Sequence, residues 1–221
     1  LTRDRKLIKK LPSTSELAVG LMINLLRNIF QSFKSVQNKK WDYSPFIGQE
    51  LASLTLGIIG LGRLGNFMAN FCKAFGMKIF YCDPNIKTKK FTKTSLKKLI
   101  QVSDIISIHV HVSKQTKHML NKKILKLAKK NPIILNTSRG EIVKEDDIIW
   151  GLKNKVISGY GTDVIEKEFL DIKKSPIIKN LNKYNIIVTP HIGGMTYQGQ
   201  LRAWNFACLL YTSDAADDSL R

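Results

Sequence analysis

The fold of this chain is decided by residues 55–84, TLGIIGLGRLGNFMANFCKAFGMKIFYCDP. The apolar run Leu54–Ile59 predicts a buried strand, and Met77–Cys82 predicts a second one. Between them lie the glycine-rich turn Gly60–Gly65 and a helical pattern, and Asp83 follows the second strand. The glycines alone would fit any tight strand-to-helix connection. A strand, a G-x-G-x-x-G turn, a helix, a strand and an acid in this order are typical of a dinucleotide-binding unit.

Each part of this unit has a physical role in holding a dinucleotide. Gly60 permits the tight turn, Gly62 lets the backbone approach a pyrophosphate, and Gly65 lets the helix pack close to the strand. The first turn of the helix offers unpaired N–H groups and the positive end of its dipole to the phosphates. Asp83, 18 residues beyond Gly65, is expected to accept hydrogen bonds from the adenosine ribose. The sequence therefore predicts NAD as the cofactor, because a carboxylate would repel the 2′-phosphate of NADP.

Two amphipathic helices are predicted, one before and one after the first strand in the sequence. The earlier one is a single long helix over Thr14–Gln37, introduced by a capping box of Ser13 and Glu16 and followed by a loop over Lys39–Glu50. The later helix is expected to end at Gly76. Its predicted buried face comprises Leu64, Phe67, Met68, Phe71 and Phe75.

Strands and helices continue to alternate after this unit. Further strands are predicted at Asp104–His109, at Pro132–Asn136, within Val156–Val164 and at Asn185–Val188, and further helices at Ser95–Gln101, Asn121–Lys129 and Asp146–Lys155. Apolar strands separated by helices predict an α/β protein with a Rossmann-type, doubly wound parallel sheet. Ligands of such sheets bind at the carboxyl ends of the strands, so the polar residues at those ends are the candidates for function.

Three of these strand ends carry groups that suit chemistry on a 2-keto acid, namely Arg139, Glu168 and His191. A planar guanidinium can hold a carboxylate and polarise a carbonyl oxygen, and an imidazole can protonate that oxygen near neutral pH. A carboxylate beside the imidazole would orient the ring. Taken singly, each residue could be an ordinary surface or loop residue, but with a dinucleotide fold they predict a hydride-transfer site. The other histidines are interpreted as structural: His109, His111 and His118.

Composition narrows the class of protein. The chain has 221 residues, 43% of them hydrophobic, which is ordinary for a globular protein. Its net charge of +19 would suit nucleic-acid binding, but the lysines form no basic block, which favours solvated surfaces and no nucleic-acid partner. Cys72, Cys82 and Cys208 have neither a disulfide pattern nor metal-ligand spacing, so we predict a cytoplasmic protein without a metal site. The apolar stretch Leu17–Leu26 is too short to span a membrane.

The chain resembles the D-isomer-specific 2-hydroxyacid dehydrogenases, in particular the branch similar to 3-phosphoglycerate dehydrogenase. The resemblance runs from about Pro12 to about Ala207 and rests on GIIGLGRLG, NTSRGEIV, GTDVIEKE and TPHIGG in that order. It implies an NAD-dependent enzyme that transfers hydride between NAD(H) and a D-2-hydroxy acid or 2-keto acid, and it implies a homodimer. It also implies that the catalytic residues are Arg139, Glu168 and His191.

The resemblance further implies a set of cofactor contacts. Arg63 and Leu64 would lie at the pyrophosphate, Asp83 at the ribose and Asp163 near the nicotinamide amide. The full implied set comprises Gly60, Gly62, Arg63, Leu64, Gly65, Asp83, Val110, Thr137, Ser138, Arg139, Asp163, His191, Gly193 and Gly194. The chain departs from the family pattern at His111 and Phe169, where the family usually has Pro. The second departure leaves Glu166 as an alternative to Glu168.

The same resemblance predicts how the chain is divided. Residues 1–13 would be a remnant of the substrate domain, 14–38 a connecting helix, 39–195 the NAD-binding domain and 196–207 the start of a returning helix. Residues 208–221 resemble a translated sequencing adapter, and we interpret them as an artefact. With the substrate domain largely missing, we expect the chain by itself to bind NADH weakly and to turn over no 2-keto acid.

Two other functions stay open on the sequence. Corepressors with the same fold bind dinucleotides for recognition, and they can retain the three catalytic residues. A basic nucleic-acid-binding protein is the third hypothesis, and the Arg, Glu and His set disfavours it. The substrate is not specified either, so 3-phosphoglycerate, glyoxylate and hydroxypyruvate are all compatible with this sequence.

Overall fold

The computed structural model describes residues 11–202, 204 and 205. Its strands are β1 (Thr55–Ile59), β2 (Lys78–Cys82), β3 (Thr92–Lys93), β4 (Ile105–Ile108), β5 (Ile133–Asn136), β6 (Gly159–Thr162) and β7 (Ile186–Val188). Its helices are α1 (Ser13–Arg27), α2 (Ile29–Gln37), α3 (Arg63–Ala74), α4 (Leu96–Val102), α5 (Lys122–Leu125), α6 (Glu145–Lys153) and α7 (Pro176–Lys179). Residues 197–202 are also helical.

The strands form one sheet in the order β3-β2-β1-β4-β5-β6-β7, and every neighbouring pair is parallel. The chain proceeds in one direction from β1 to β3 and in the other from β4 to β7. The carboxyl ends of β1 and β4 therefore flank the point at which ligands bind in such sheets. The predicted doubly wound, Rossmann-type fold is confirmed.

Alternate strand residues point to two separate hydrophobic cores, one on each face of the sheet. Leu56 and Ile58 of β1 pack with α1 and α3, whereas Ile106 and Ile108 of β4 pack with α4, α5 and α6. Each fully buried Leu or Ile side chain contributes about 1.5–3 kcal/mol relative to exposure. Because both faces are covered, the central strands β1, β4 and β5 are largely apolar runs, which is why they were readable from the sequence.

The prediction of one uninterrupted helix over Thr14–Gln37 is wrong at Asn28. This residue adopts a left-handed backbone conformation (φ 52°), and its N–H donates to Asn24 O. Asparagine tolerates this conformation better than most residues. The side chain of Asn24 then accepts from Phe30 N–H at 3.0 Å. The helices on the two sides of the break differ in burial, since α1 has a buried face and α2 has no buried residue.

The predicted capping box at the start of α1 is also wrong. No side chain caps the helix, whose first turn uses Pro12 O as the acceptor for Ser15 N–H and Glu16 N–H. Tertiary contacts fix this end instead. Thr14 Oγ1 donates to Gly193 O at 3.2 Å, and Ser15 Oγ donates to Leu64 O at 2.9 Å. The start of α1 is thereby tied to the two ends of the cleft described below.

The buried face of α3 differs from the predicted one. Its buried residues are Gly65, Met68, Ala69 and Cys72. Small residues allow the helix to approach the sheet closely, and the aromatic rings lie at its flank. Phe67 and Phe71 stack there with 6.1 Å between ring centroids, and Phe75 is exposed.

The other predicted elements are present with small differences. The helix predicted from Asn121 is shorter, since α5 ends at Leu125, and β3 and α7 were not predicted. The loop over 39–50 contains one 3₁₀ turn, Ser44–Phe46. No helix in the described part of the chain is long and apolar enough to cross a membrane. The predictions for residues 1–10 and 206–221 lie outside the described residues.

Candidate active site

A cleft of about 400 Å³ lies at the carboxyl ends of β1, β4, β5, β6 and β7. It contains most of the predicted cofactor residues: Gly62, Arg63, Leu64, Val110, Thr137, Ser138, Arg139, Asp163, His191, Gly193 and Gly194. Three further residues line it that were not predicted: Thr14, His109 and His111. The topology therefore brings residues that are far apart in sequence into one site.

The glycine turn forms one end of the cleft. Gly60 has φ 88°, a conformation that favours glycine, and a Cβ on Gly65 would lie 2.1 Å from Gly60 O. A Cβ on Gly62 would meet no atom within 4 Å. Gly60 and Gly65 thus shape the turn from within, while Gly62 borders open space at the N-terminus of α3.

The carboxylate of Asp83 fixes the conformation of this turn through hydrogen bonds. Its Oδ2 accepts from Leu61 N–H at 2.8 Å, and its Oδ1 accepts from Asn85 N–H and Ile86 N–H at 2.8 and 2.9 Å. Burial raises the pKa of the Asp83 carboxyl, but the hydrogen bonds from Ile86, Asn85 and Leu61, with the charge of Lys93, outweigh it and leave the pKa lowered. The carboxylate is therefore charged at neutral pH and ordered within the turn.

Two arginines line the cleft in different ways. Arg63 at the start of α3 donates from Nη1 to Leu11 O, and partial burial lowers its pKa without removing its charge at neutral pH. Arg139 is exposed, and its Nη1 donates to Ser138 O at 2.6 Å. The turn that carries Arg139 is fixed by the buried Asn136, whose Nδ2 donates to Arg139 O at 2.9 Å and whose Oδ1 accepts from Ser138 N–H at 3.1 Å.

His191 and Glu168 form a hydrogen-bonded pair at the other end of the cleft. His191 Nδ1 lies 2.7 Å from Glu168 Oε1, with the imidazole side chain 43% exposed and the Glu168 side chain 18% exposed. His191 itself has φ 56°, a strained conformation for a residue with a side chain. A histidine held at Nδ1 by a carboxylate presents Nε2 as the nitrogen that can exchange a proton.

Asp163 holds the loop that carries His191. The Asp163 side chain is buried; its Oδ1 accepts from Thr189 Oγ1 at 2.5 Å and Ile192 N–H at 2.8 Å, and its Oδ2 accepts from Gly193 N–H at 2.7 Å. The N–H of His191 also donates to Asp163 O at 2.9 Å. These contacts account for the strained backbone at His191, because the surrounding structure over-determines it.

Glu166, the alternative partner for the imidazole, points elsewhere. Its Oε1 lies 3.3 Å from His118 Nε2, and its N–H donates to Glu145 Oε1 at 2.8 Å. The geometry therefore brings Glu168, and not Glu166, to His191. His118 retains the structural interpretation made from the sequence.

His109 was missed as a cleft residue, although its place directly after β4 was a usable signal. Its Nε2 lies 2.8 Å from Ser107 Oγ, and burial lowers the pKa of the imidazole to about 4. Within the described residues, His109 Nδ1 and Thr137 Oγ1 are buried polar atoms without a hydrogen-bond partner. Buried polar atoms are usually paired, so two such atoms in one cleft fit a site that takes a polar ligand.

Among residues 11–202, 204 and 205, no group of three or more His, Cys, Asp or Glu side chains could hold a metal ion. The cleft is instead lined by the guanidiniums of Arg63 and Arg139 and the imidazole of His191, while the buried carboxylate of Asp163 is occupied by three hydrogen bonds from the loop of His191. Such a set suits an anionic ligand.

Residues 19–193 match the family described as D-isomer specific 2-hydroxyacid dehydrogenase, NAD binding domain. The chain is 35% identical over 200 residues to glyoxylate reductase from Thermococcus litoralis, covering 85% of this chain and 59% of that protein. It is 36% identical over 197 residues to D-3-phosphoglycerate dehydrogenase from Methanocaldococcus jannaschii, covering 86% of this chain and 37% of that protein. A solved D-lactate dehydrogenase from Aquifex aeolicus, complexed with NAD and lactic acid, is similar with a TM-score of 0.88 at 29% identity, covering 95% of this chain and 68% of that one. The chain thus spans less than two thirds of both curated relatives.

Proposed function

This chain belongs to the D-isomer specific 2-hydroxyacid dehydrogenase family through its NAD binding domain, and we propose that it supplies the cofactor half of an enzyme that interconverts D-2-hydroxy acids and 2-keto acids. The observation that carries the proposal is the 2.7 Å contact of His191 with Glu168, in a cleft that also contains Arg139. An oriented imidazole and a guanidinium are the groups that reduction of a keto acid requires. The similarity to D-3-phosphoglycerate dehydrogenase supports a substrate of that class.

NAD fits the cleft on the chemistry of its lining. The space beside Gly62 is open, Arg63 adds positive charge, and the unpartnered Thr137 Oγ1 and His109 Nδ1 offer polar contacts. We propose that Gly62, Arg63 and Leu64 hold the pyrophosphate and that Asp83 holds the ribose. Val110, Thr137 and Ser138 would line the cofactor cleft, and Asp163 would lie near the nicotinamide amide. When bound, NAD supplies the hydride acceptor for oxidation and, in its reduced form, the hydride donor for reduction.

Arg139 is proposed to bind the substrate carboxylate and to polarise the C2 oxygen. The guanidinium donates to Ser138 O, and an exposed side chain can exchange that contact for a charged ligand. Hydrogen bonds between a guanidinium and a carboxylate are about twice as strong as neutral ones. The buried Asn136 keeps the turn in place while the side chain moves.

His191 is proposed to move the proton. In reduction the imidazolium donates from Nε2 to the C2 oxygen, and in oxidation the neutral ring accepts that proton from the hydroxyl. Glu168 orients the ring through Nδ1. Asp163 keeps the loop of His191 in place by accepting three hydrogen bonds from it.

The test of this function is turnover by the product of the complete gene. We expect oxidation of NADH with at least one of glyoxylate, hydroxypyruvate, pyruvate and 3-phosphohydroxypyruvate, followed by absorbance. The His191→Ala variant should keep NADH binding and lose most turnover. Tight NADH binding with no turnover on any keto acid would instead support the corepressor-like alternative, and salt-sensitive DNA binding without cofactor would support a nucleic-acid role.

We further propose that the protein is a homodimer. An exposed apolar surface, here called the α2 face, lies on α2 and the loop after it and comprises Ile29, Phe30, Phe33, Val36, Trp41, Tyr43 and Ile47. The side chain of Trp41 is 90% exposed. Monomers rarely expose contiguous apolar patches of this kind, which usually mark association sites. The absence of a buried residue on α2 is consistent with a helix that completes its packing against a second copy.

Light scattering of the gene product tests this association. We expect a dimer in the wild type and a shift to monomer in Phe33→Glu, because a charge at the centre of an apolar interface is costly. Phe75→Glu is the matched control, since Phe75 is an exposed aromatic residue outside the α2 face. A monomeric wild type, or equal effects of both variants, would contradict the proposal.

A cytoplasmic location is the last part of the proposal. Burial raises the pKa of the Cys72 thiol to about 12, and burial together with Asp83 raises that of Cys82. Both thiols are therefore protonated and free, which suits a reducing compartment. Cell fractionation with an antibody to the protein would test this location.

A further inference from the structure

Glu145 is a buried carboxylate that the proposed chemistry does not use. It lies in the first turn of α6 and is 4% exposed. Its Oε1 accepts from Glu166 N–H at 2.8 Å, and its Oε2 accepts from Ser175 Oγ at 2.7 Å. Buried carboxylates are costly unless both oxygens are paired, so these two contacts are what make the position tolerable.

The two donors lie at the two ends of the segment that carries Glu168. This segment, residues 166–175, is here called the Glu168 loop. Its middle has little burial of its own, since Phe169 is 88% and Leu170 is 75% exposed. Lys167 has φ 60°, so the backbone next to Glu168 is strained. Contacts at the ends therefore decide where the loop lies.

The segment before Glu145 also contacts the Glu168 loop. A Cβ on Gly140 would lie 2.1 Å from Ile165 C and 2.3 Å from Glu166 N. The turn that carries Arg139 thus packs backbone against backbone on the start of the loop. Arg139 and Glu145 lie at the two ends of one short segment, which touches the loop at both places.

We propose that Glu145 is a positioning residue that holds the Glu168 loop, and through it the Glu168–His191 pair, in register with Arg139. This inference rests on the proposed function, because the pair matters only where His191 moves a proton. Glu145 touches neither the cleft nor a substrate. It acts by anchoring both ends of the loop, so that Glu168 reaches His191 Nδ1 at hydrogen-bonding distance. Errors of about 1 Å in such placement cost up to about 100-fold in rate.

The protonation of Glu145 decides which variant is conservative. Burial raises the pKa of its carboxyl, hydrogen bonds from Ser175 and Glu166 lower it, and the nearby charges of Glu166 and Asp146 raise it, with a net increase. An uncharged amide avoids the desolvation cost that raises this pKa, so Glu145→Gln is the conservative variant. Glu145→Gln keeps an acceptor for Glu166 N–H and can donate to Ser175 Oγ, whereas Glu145→Ala removes both contacts.

The first experiment needs no turnover. The imidazole ¹⁵N shifts of His191 report hydrogen bonding at Nδ1, and they can be measured by NMR in the chain of 221 residues. We expect Glu145→Ala to move these shifts toward those of Glu168→Gln and Glu145→Gln to leave them near the wild type. Asp146→Ala is the matched control, because it removes an exposed acid from the same helical turn without touching the loop.

The second experiment uses turnover by the product of the complete gene. Glu145→Ala should lower kcat by about 10- to 100-fold while KM for NADH changes less than about twofold. In the background of Glu168→Gln, Glu145→Ala should add less than about twofold, because both changes act through one pair. If Glu145→Ala does not fold, Ser175→Ala removes one anchor and should give a smaller shift in the same direction.

The outcomes separate the two proposals. Wild-type His191 shifts in Glu145→Ala and Ser175→Ala, equal effects of Gln and Ala, or additive losses with Glu168→Gln would overturn the role of Glu145. A wild type that reduces no keto acid would overturn the proposed function. The NMR shifts would still decide in that case whether Glu145 holds the Glu168–His191 pair.

Discussion

The two ends of the cleft are built by different means. At the glycine turn, backbone atoms form the surface of the cleft. Gly60 and Gly65 shape this turn, and Asp83 accepts a hydrogen bond from the N–H of Leu61. At the other end, the functional groups are side chains on exposed loops. Buried carboxylates hold those loops in place. Asp163 holds the loop of His191. Glu145 contacts both ends of the Glu168 loop.

This difference predicts how each end responds to change. Substitution in the turn displaces backbone atoms that cannot rotate away, so folding and cofactor binding should fail together. Substitution in the loops removes functional groups from a surface that tolerates their loss, so chemistry should fail while folding persists. The following variants test that contrast.

The largest effect is expected at His191. His191→Ala should lower kcat by about 100- to 10,000-fold, the usual value of a general acid, with NADH affinity and thermal stability nearly unchanged. Steady-state kinetics and NADH titration measure the two effects. His118→Ala is the matched control, because His118 also pairs with a glutamate, at 3.3 Å, but outside the cleft. Equal losses in both variants would remove the distinction between the two histidines.

The next effect is expected in the glycine turn. Gly65→Ala should lower the free energy of unfolding by about 3 kcal/mol and abolish NADH binding, because its Cβ would lie 2.1 Å from Gly60 O. Gly62→Ala should fold normally, since its Cβ meets no atom within 4 Å, and should weaken NADH binding only. Urea denaturation and fluorescence titration check both variants. A stable Gly65→Ala that binds NADH would show that the turn adapts.

A smaller effect is expected in how the free energy of unfolding depends on pH, because of His109, which lies between the two ends of the cleft. Its pKa is about 4 in the folded chain against 6.5 ordinarily, so below pH 6.5 the unfolded chain binds a proton that the folded chain does not. Stability should therefore fall as pH falls from 6.5 to 4, by up to about 3 kcal/mol from this ring. His109→Gln should flatten that part of the profile in urea denaturation. An unchanged slope would mean that other groups cause the acid loss.

The smallest effect is expected in cofactor preference. The wild type should bind NADH at least about 10-fold more tightly than NADPH, because the charged Asp83 repels a 2′-phosphate. Asp83→Asn should reduce the ratio of the two affinities, because it removes the negative charge. Its amide oxygen can still accept one hydrogen bond from the turn. Fluorescence titration with both nucleotides measures it. Comparable affinities of the wild type for the two nucleotides would contradict the assignment of Asp83 to the ribose.

The two ends also differ in how far they could be read from sequence. The turn was predicted because its signals are local: apolar runs, glycine spacing and one acid lie within about 30 residues. Arg139, Glu168 and His191 could be named from the sequence, with Glu166 as the alternative to Glu168, and the structure brings Glu168 to His191. Both glutamates lie within two positions in a loop without periodicity, and only the backbone path shows which one reaches His191.

The sequence by itself determined most of the order of strands and helices, although not β3 or α7, together with the doubly wound sheet and the glycine turn, because hydrophobic periodicity and glycine placement are properties of neighbouring residues. Tertiary structure alone decided the contacts that fix the start of α1 and the anchoring roles of Asp163 and Glu145. Each of those depends on hydrogen bonds between atoms that are distant in sequence. Such contacts become visible only when the sheet has brought the strand ends together.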